Sequence, residues 1–202
     1  MNNIFLKQLL VLLFLSVSNA VIANPLILIV YYSKTGHTMT LAESIYRGAK
    51  SVDNVEVKIA TIEQTTIDDV KKADGIILGS PVYNGNIAPQ VQQFINSWPL
   101  HDTSYKSKVG AAFVTAAGIS AGEEEAQFSI IRSMMIFNFI IVGGETWHSP
   151  FGAYAISNNP LIKNESPDAP INPEFLKYGE ALGKRVSTLV FDLYQLKQCK
   201  KT

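Results

Sequence analysis

An apolar run, Leu26-Ile27-Leu28-Ile29-Val30-Tyr31-Tyr32, passes directly into Ser33-Lys34-Thr35-Gly36-His37-Thr38. The run is rich in β-branched residues and reads as a buried strand. Beyond the hydroxyl-rich turn, Leu41, Ala42, Ile45, Tyr46 and Ala49 recur at helical spacing. A strand, a hydroxyl-rich turn and a helix N-terminus together hold one phosphate monoester. Backbone N–H groups and the helix dipole face the anion, and Ser and Thr hydroxyls donate to its oxygens. The turn has neither the G-x-G-x-x-G of a dinucleotide site nor the G-x-x-x-x-G-K-[ST] of a nucleoside triphosphatase. On this segment alone, a tight strand-to-helix turn with no ligand remains the other reading.

Strand and helix patterns alternate through the rest of the chain, which argues for an α/β fold with a parallel sheet. Val55–Ala60 reads as a second strand and Ile67–Lys72 as a short helix. Residues 75–79, Gly-Ile-Ile-Leu-Gly, form a third strand, apolar throughout and therefore central. Pro89–Trp98 is a helix, Val109–Val114 a fourth strand, and Glu123–Phe137 a helix with three acids in its first turn. Phe139–Gly143 reads as a fifth strand and Phe175–Leu196 as a long closing helix. Five strands and five helices in this succession match the flavodoxin-like three-layer sandwich, with a parallel sheet of order 2-1-3-4-5. The segment from Glu145 to Pro173 is long and proline-rich, the mark of a functional or interface loop.

The 202 residues suffice for one domain with a proper core. Formal net charge is zero, so no basic stripe is expected, which argues against nucleic acid as a partner. Residues 1–23 read as a signal peptide. Lys7 precedes the apolar run Leu9–Leu15, and small residues before Ala20 and Ala23 offer two cleavage sites. The run is too short to anchor stably in a bilayer, although an uncleaved anchor is the alternative. Residues 24–202 then form the domain, and a periplasmic or secreted location is expected, with no membrane span after cleavage. Removing Lys7 from the 17 basic residues leaves 16 against 17 acids, a net charge of −1. Cys199, the single cysteine, cannot form an internal disulfide and reads as an exposed thiol.

In an open α/β sheet, ligands bind beyond the C-terminal strand ends, where strand order reverses. The loops there are the phosphate turn, Ser80-Pro81-Val82-Tyr83-Asn84-Gly85-Asn86, and Thr115-Ala116-Ala117-Gly118-Ile119-Ser120-Ala121-Gly122. Small residues let backbone amides approach a flat ring and bond its polar edge. Tyr83 offers a face for stacking. Trp98 reads as a core or rim aromatic, and His101 and His148 as surface residues. The three scattered histidines show no metal-ligand spacing.

Residues 79–86 (G-S-P-V-Y-N-G-N) resemble the G-T-P-x-x-F-G-N loop of the WrbA-type NAD(P)H:quinone oxidoreductases. Ser149-Pro150-Phe151-Gly152-Ala153 resembles that family's T-P-Y-G-A, and the turn at Ser33–Thr38 resembles its phosphate loop. The loop leading into Glu123-Glu124 is similar to its S-T-G-x-G-G-x-Q-E. The resemblance spans roughly Leu26–Leu196. It implies FMN as cofactor, NADH or NADPH as donor, a quinone or other small acceptor, and a homo-oligomer, the family's usual assembly being a tetramer. Residue by residue, it implies that Ser33, Lys34, Thr35, Gly36, His37 and Thr38 hold the FMN phosphate. Pro81, Val82, Tyr83, Asn84 and Gly85, with Thr115, Ala116, Ala117 and Gly118, would line the ring. The chain departs from the pattern in three places. The family's histidine pair before the fifth strand is absent, and Met135 or Ile136 stands near its place. Asn84 replaces a stacking Phe, and the insertion between the second and third strands is nearly missing. The expected function is an exported FMN-dependent oxidoreductase. A non-enzymatic flavin-binding electron carrier is the alternative.

Overall fold

The computed structural model of this protein describes residues 23–157 and 170–200. The expected leader, through residue 22, lies outside them. Among the described residues no helix is long and apolar enough to cross a membrane.

Strand β1 (Leu26–Tyr31) leads into helix α1 (His37–Lys50), followed by β2 (Glu56–Thr61), α2 (Ile67–Lys72) and β3 (Gly75–Tyr83). A short β4 (Asn86–Ile87), α3 (Pro89–Asn96), β5 (Val109–Ala116) and α4 (Glu123–Ile136) come next. Then β6 (Ile140–Ile141), β7 (Ala153–Ile156) and the long α5 (Pro173–Cys199) complete the chain. The main sheet is parallel, in the order β2-β1-β3-β5-β6. Setting aside the β4 hairpin strand, this is the 2-1-3-4-5 order expected from the sequence.

Alternation along β1 explains the three layers. Leu28 and Val30 point into a core built with α3 and α4, whereas Ile27, Ile29 and Tyr31 point into one built with α1 and α5. A strand buried on both faces must be apolar at every position, which is why its sequence shows no alternation. On the second face, α1 and α5 pack unusually close. A Cβ at Gly183 would run into the carbonyl oxygen of Ile45, and one at Gly48 into that of Glu180. On the first face, Trp98 is only 3% exposed and packs among Phe94, Tyr105, Phe137 and Phe139. It is a core residue, as its sequence context suggests.

The fifth strand corrects the sequence reading. Of Phe139–Gly143 only Ile140 and Ile141 pair, with Val109 and Gly110 at the start of β5. The other half of that sheet position is filled by β7, which pairs with Phe113–Ala116. Between them the chain leaves the sheet and returns, with Gly143 and Gly144 lying against the backbone of Pro150 and Ser149. Part of the long segment read as a loop is therefore sheet. β7 brings it to the C-terminal edge, where Ser157 donates its N–H to the carbonyl of Ala116 at 2.8 Å.

Candidate functional site

The phosphate loop begins where β1 ends. Gly36 caps α1 in a left-handed conformation at φ +93°, a region open mainly to glycine. The Ser33 hydroxyl oxygen accepts the amide protons of Gly36 (3.2 Å) and Met39 (3.3 Å), so one side chain fixes both ends of the turn. Thr35 Oγ1 lies 3.1 Å from His37 Nδ1. Lys34 and Thr35 are exposed. α1 has no acidic residue in its first turn, so nothing there offsets the helix dipole against an anion. Thr38 is placed differently from the others: it is buried, and its hydroxyl meets that of Thr115 at 2.7 Å.

The segment after the third strand is a β-hairpin rather than a free loop. Val82 pairs with Ile87 and Tyr83 with Asn86. Asn84 (φ +51°) and Gly85 (φ +77°) form the two-residue turn between them. Asn-Gly is the strongest short hairpin signal, because both positions need positive φ. Ser80 anchors the hairpin base: its hydroxyl donates to the Pro81 carbonyl and accepts the Ala88 amide at 2.8 Å. Pro81, Val82 and Tyr83 are half-buried and Asn84 is exposed. Burial raises the Tyr83 phenol above its ordinary value, and its hydrogen bond with Tyr32 raises it further. Tyr32, just ahead of the phosphate loop, is a site neighbour that pattern reading missed.

In the third segment, Thr115 and Ala116 lie within β5 and are buried, and the exposed loop starts at Ala117. Gly122, at φ +101°, packs on the hairpin tip: a Cβ there would sit 2.5 Å from Gly85 Cα. Glu123 then closes the loop by accepting the Ser120 amide at 3.0 Å.

The three segments converge on one edge of the sheet, and the room there tests whether a phosphate with a flat ring fits. Gly36, Gly85 and Gly118, one from each segment, have no atom within 4 Å of where a Cβ would project. At each the backbone borders open space, so a ligand can approach it closely. The residues present fit FMN.

Other candidates lie elsewhere. Met135 and Ile136 are exposed at the far end of α4, about 20 Å along the helix from Glu123 at roughly 1.5 Å per residue. They do not line the site of their own chain, which corrects the expectation that one of them stands in the place of a ring-lining histidine. His101 is exposed; His148 is exposed and lies tilted against Trp147 with ring centroids 3.8 Å apart. A cavity of about 520 Å³ between β6 and α5, lined by Ile141, Lys184, Arg185 and Asp192 among others, lies beside the start of β5, away from the loops.

Residues 28–138 match the family model described as a flavodoxin domain, more than half of the chain. The chain belongs to the flavodoxin domain family. A flavodoxin from Aquifex aeolicus (strain VF5) is 31% identical over 149 residues, covering 69% of this chain and 78% of that protein. An NAD(P)H dehydrogenase (quinone) from Azorhizobium caulinodans is 31% identical over 141 residues, covering 58% of this chain and 69% of the relative. Among solved structures, the flavodoxin, WrbA-like protein from Agrobacterium tumefaciens superposes with a TM-score of 0.66 at 20% identity. That match covers 82% of this chain and 97% of the other. The flavodoxin family thus accounts for the sheet order and for the edge at which the three loops meet.

Proposed function

We propose that this protein is an exported FMN-dependent oxidoreductase of the NAD(P)H:quinone reductase type. The observation that carries the reading is the convergence of three loops, each offering an open glycine backbone, at the strand-order reversal. Ser33, Thr35 and Thr38, with the backbone amides of the Lys34–Thr38 turn, hold the phosphate. The hairpin 82–85 and the loop from Ala117 flank the ring, with Tyr83 as its aromatic contact. FMN, when bound, supplies hydride acceptance from a nicotinamide and two-electron transfer to a quinone-like acceptor. The protein's part is to orient the ring and exclude water. Relatives named NAD(P)H dehydrogenase (quinone) support this choice of chemistry.

The second reading, a non-enzymatic FMN-binding electron carrier, is favoured by relatives named flavodoxin. A visible spectrum of the purified protein reports flavin, and oxidation of NADH or NADPH with added quinone separates the two. A flavin spectrum without nicotinamide oxidation selects the carrier; a colourless protein that takes up no added FMN overturns both. Export rests on the pattern of residues 1–23. N-terminal sequencing of protein from fractionated cells tests it, and an intact Met1 in the cytosol overturns it.

A further inference from the structure

We infer that Thr115, although it belongs to the ring-side segment, is a positioning residue for the phosphate of FMN and acts through Thr38. The inference rests on the FMN reading above. Thr38 Oγ1 and Thr115 Oγ1 lie 2.7 Å apart, 77 residues apart in sequence, and either can be the donor. Thr38 is 2% exposed and Thr115 5%, so bulk water does not compete for this bond. Thr38 sits in the first turn of α1, within the phosphate loop, and Thr115 sits near the C-terminal end of β5.

Two hydroxyls in one hydrogen bond share one proton. A hydroxyl has one proton to give and two lone pairs with which to accept. Without an anion, the Thr38–Thr115 bond can run in either direction. A phosphate dianion ester only accepts. Once it takes the Thr38 proton, Thr38 can no longer donate to Thr115, and the shared bond must run from Thr115 to Thr38. Thr115 therefore completes the Thr38 hydroxyl as an acceptor while Thr38 donates to the phosphate. A hydroxyl that accepts one hydrogen bond donates a stronger one, because the chain is polarised. Without the Thr115 proton, the Thr38 hydroxyl keeps a lone pair unpaired in a buried site and donates a weaker bond to the phosphate.

This assignment predicts a separation that neither a ring contact nor a packing role would give. Thr115→Val keeps the branched shape and removes the proton. It should weaken FMN binding about three- to tenfold, the range of one net hydrogen bond. It should leave riboflavin, which has the same ring and no phosphate, with its wild-type affinity. Thr115→Ser restores the hydroxyl and should restore the FMN affinity. Thr38→Val should lose at least as much of the FMN preference, because it removes the phosphate donor itself, and the double variant should lose little more than Thr38→Val alone, since Thr115 acts only through Thr38.

The experiment is a flavin-fluorescence titration of the apoprotein with FMN and with riboflavin, for wild type and the four variants, with far-UV circular dichroism as a check on folding. An FMN-to-riboflavin ratio reduced in Thr115→Val and recovered in Thr115→Ser supports the assignment. Equal weakening of both flavins, or a Thr115→Val ratio equal to wild type, overturns it. If Thr115→Val does not fold, a ratio in Thr115→Ser that matches wild type supports the assignment only together with a reduced ratio in Thr38→Val; any other pair of values overturns it. A wild type that does not distinguish FMN from riboflavin overturns the FMN reading itself, which is a different result.

Discussion

Gly122 lies against Gly85, with space for no side chain: a Cβ on Gly122 would come within 2.5 Å of Gly85 Cα and 2.8 Å of its carbonyl oxygen. The contact joins the tip of the β3–β4 hairpin to the loop after β5. Both glycines have positive φ. Gly122→Ala adds a methyl where backbone occupies the space and also imposes a left-handed conformation on an L-residue. It should cost about 1–3 kcal/mol of stability, read from urea denaturation. It should weaken riboflavin as well as FMN, because it displaces ring-side loops. An unaltered denaturation midpoint would show that the two loops are independent.

At the α1–α5 contact, helix propensity and packing oppose each other. Gly183→Ala should stabilise an exposed helix by about 1 kcal/mol. Here the new methyl would meet the Ile45 carbonyl oxygen and stand 2.8 Å from the Ala49 amide nitrogen. Backbone cannot yield as a flexible side chain does, so overpacking at about 1–3 kcal/mol outweighs propensity. A lowered Tm in a thermal melt is the expected outcome, and an increase would mean that the helices separate without cost.

Lys108 is buried, and its ammonium donates to the carbonyls of Lys71, at 2.7 Å, and Ala73. These carbonyls lie at the end of α2, where the helix leaves acceptors without intrahelical partners. Desolvation holds the lysine below its ordinary value; Lys197 adds to the depression, and Asp74 and Asp102 oppose it. Lys108→Met leaves the acceptors unpaired and should cost about 1–3 kcal/mol at neutral pH. The pH dependence follows from the sign of the shift. With the folded pKa below the unfolded one, the unfolded chain binds more protons between the two, so wild-type stability rises with pH in that window. The stability gap between wild type and Lys108→Met should therefore widen as pH rises toward the ordinary lysine value of 10.5. Urea titrations across alkaline pH check this, and a constant gap would place the ammonium in solvent.

Most of the fold was legible because it rests on local chemistry. The unbroken apolar runs at Leu26–Tyr31 and at Gly75–Leu78 identify strands covered on both faces, and the glycine at 36 marks the start of α1. The split fifth strand was not legible. Ala153–Ile156 is too short to stand out, and its place depends on pairing with Phe113–Ala116 across a long interval of chain. The hairpin carried a signal that was passed over: Asn84-Gly85 specifies a two-residue turn, yet its small residues also suit a ring-binding loop. The Thr38–Thr115 and Gly85–Gly122 contacts join distant segments, and no local pattern announces them.

Tyr83 should be the aromatic contact of the ring. Tyr83→Ala should weaken FMN by about 0.5–1.5 kcal/mol, the worth of an aromatic pair, plus the lost burial. Tyr83→Phe keeps the ring and should retain most of the affinity. Titration of both flavins measures it. Wild-type affinity in Tyr83→Ala would mean that the phenol only packs against Tyr32.

Two hydroxyls of the phosphate loop should prove unequal. Ser33 and Thr35 look equivalent in sequence, each a hydroxyl beside the glycine. In the structure Ser33 Oγ receives two amide protons, from Gly36 and Met39, whereas Thr35 is exposed and contacts His37. Ser33→Ala therefore removes a donor to the phosphate and also releases both ends of the turn that shapes the cradle. A hydrogen bond to a charged group is worth about 1.5–3 kcal/mol, and the loosened loop adds to that loss. Thr35→Ala removes one bond in an exposed position, where water partly replaces it, and should cost less. Both changes should leave riboflavin affinity near wild type, since neither residue lies on the ring side. Fluorescence-quenching titrations with FMN and riboflavin decide the order. If Thr35→Ala proves the more damaging, the turn keeps its shape without Ser33 and the phosphate lies toward the exposed side of the loop. If neither variant changes the preference for FMN, Ser33–Thr38 is a strand-to-helix turn and binds no phosphate.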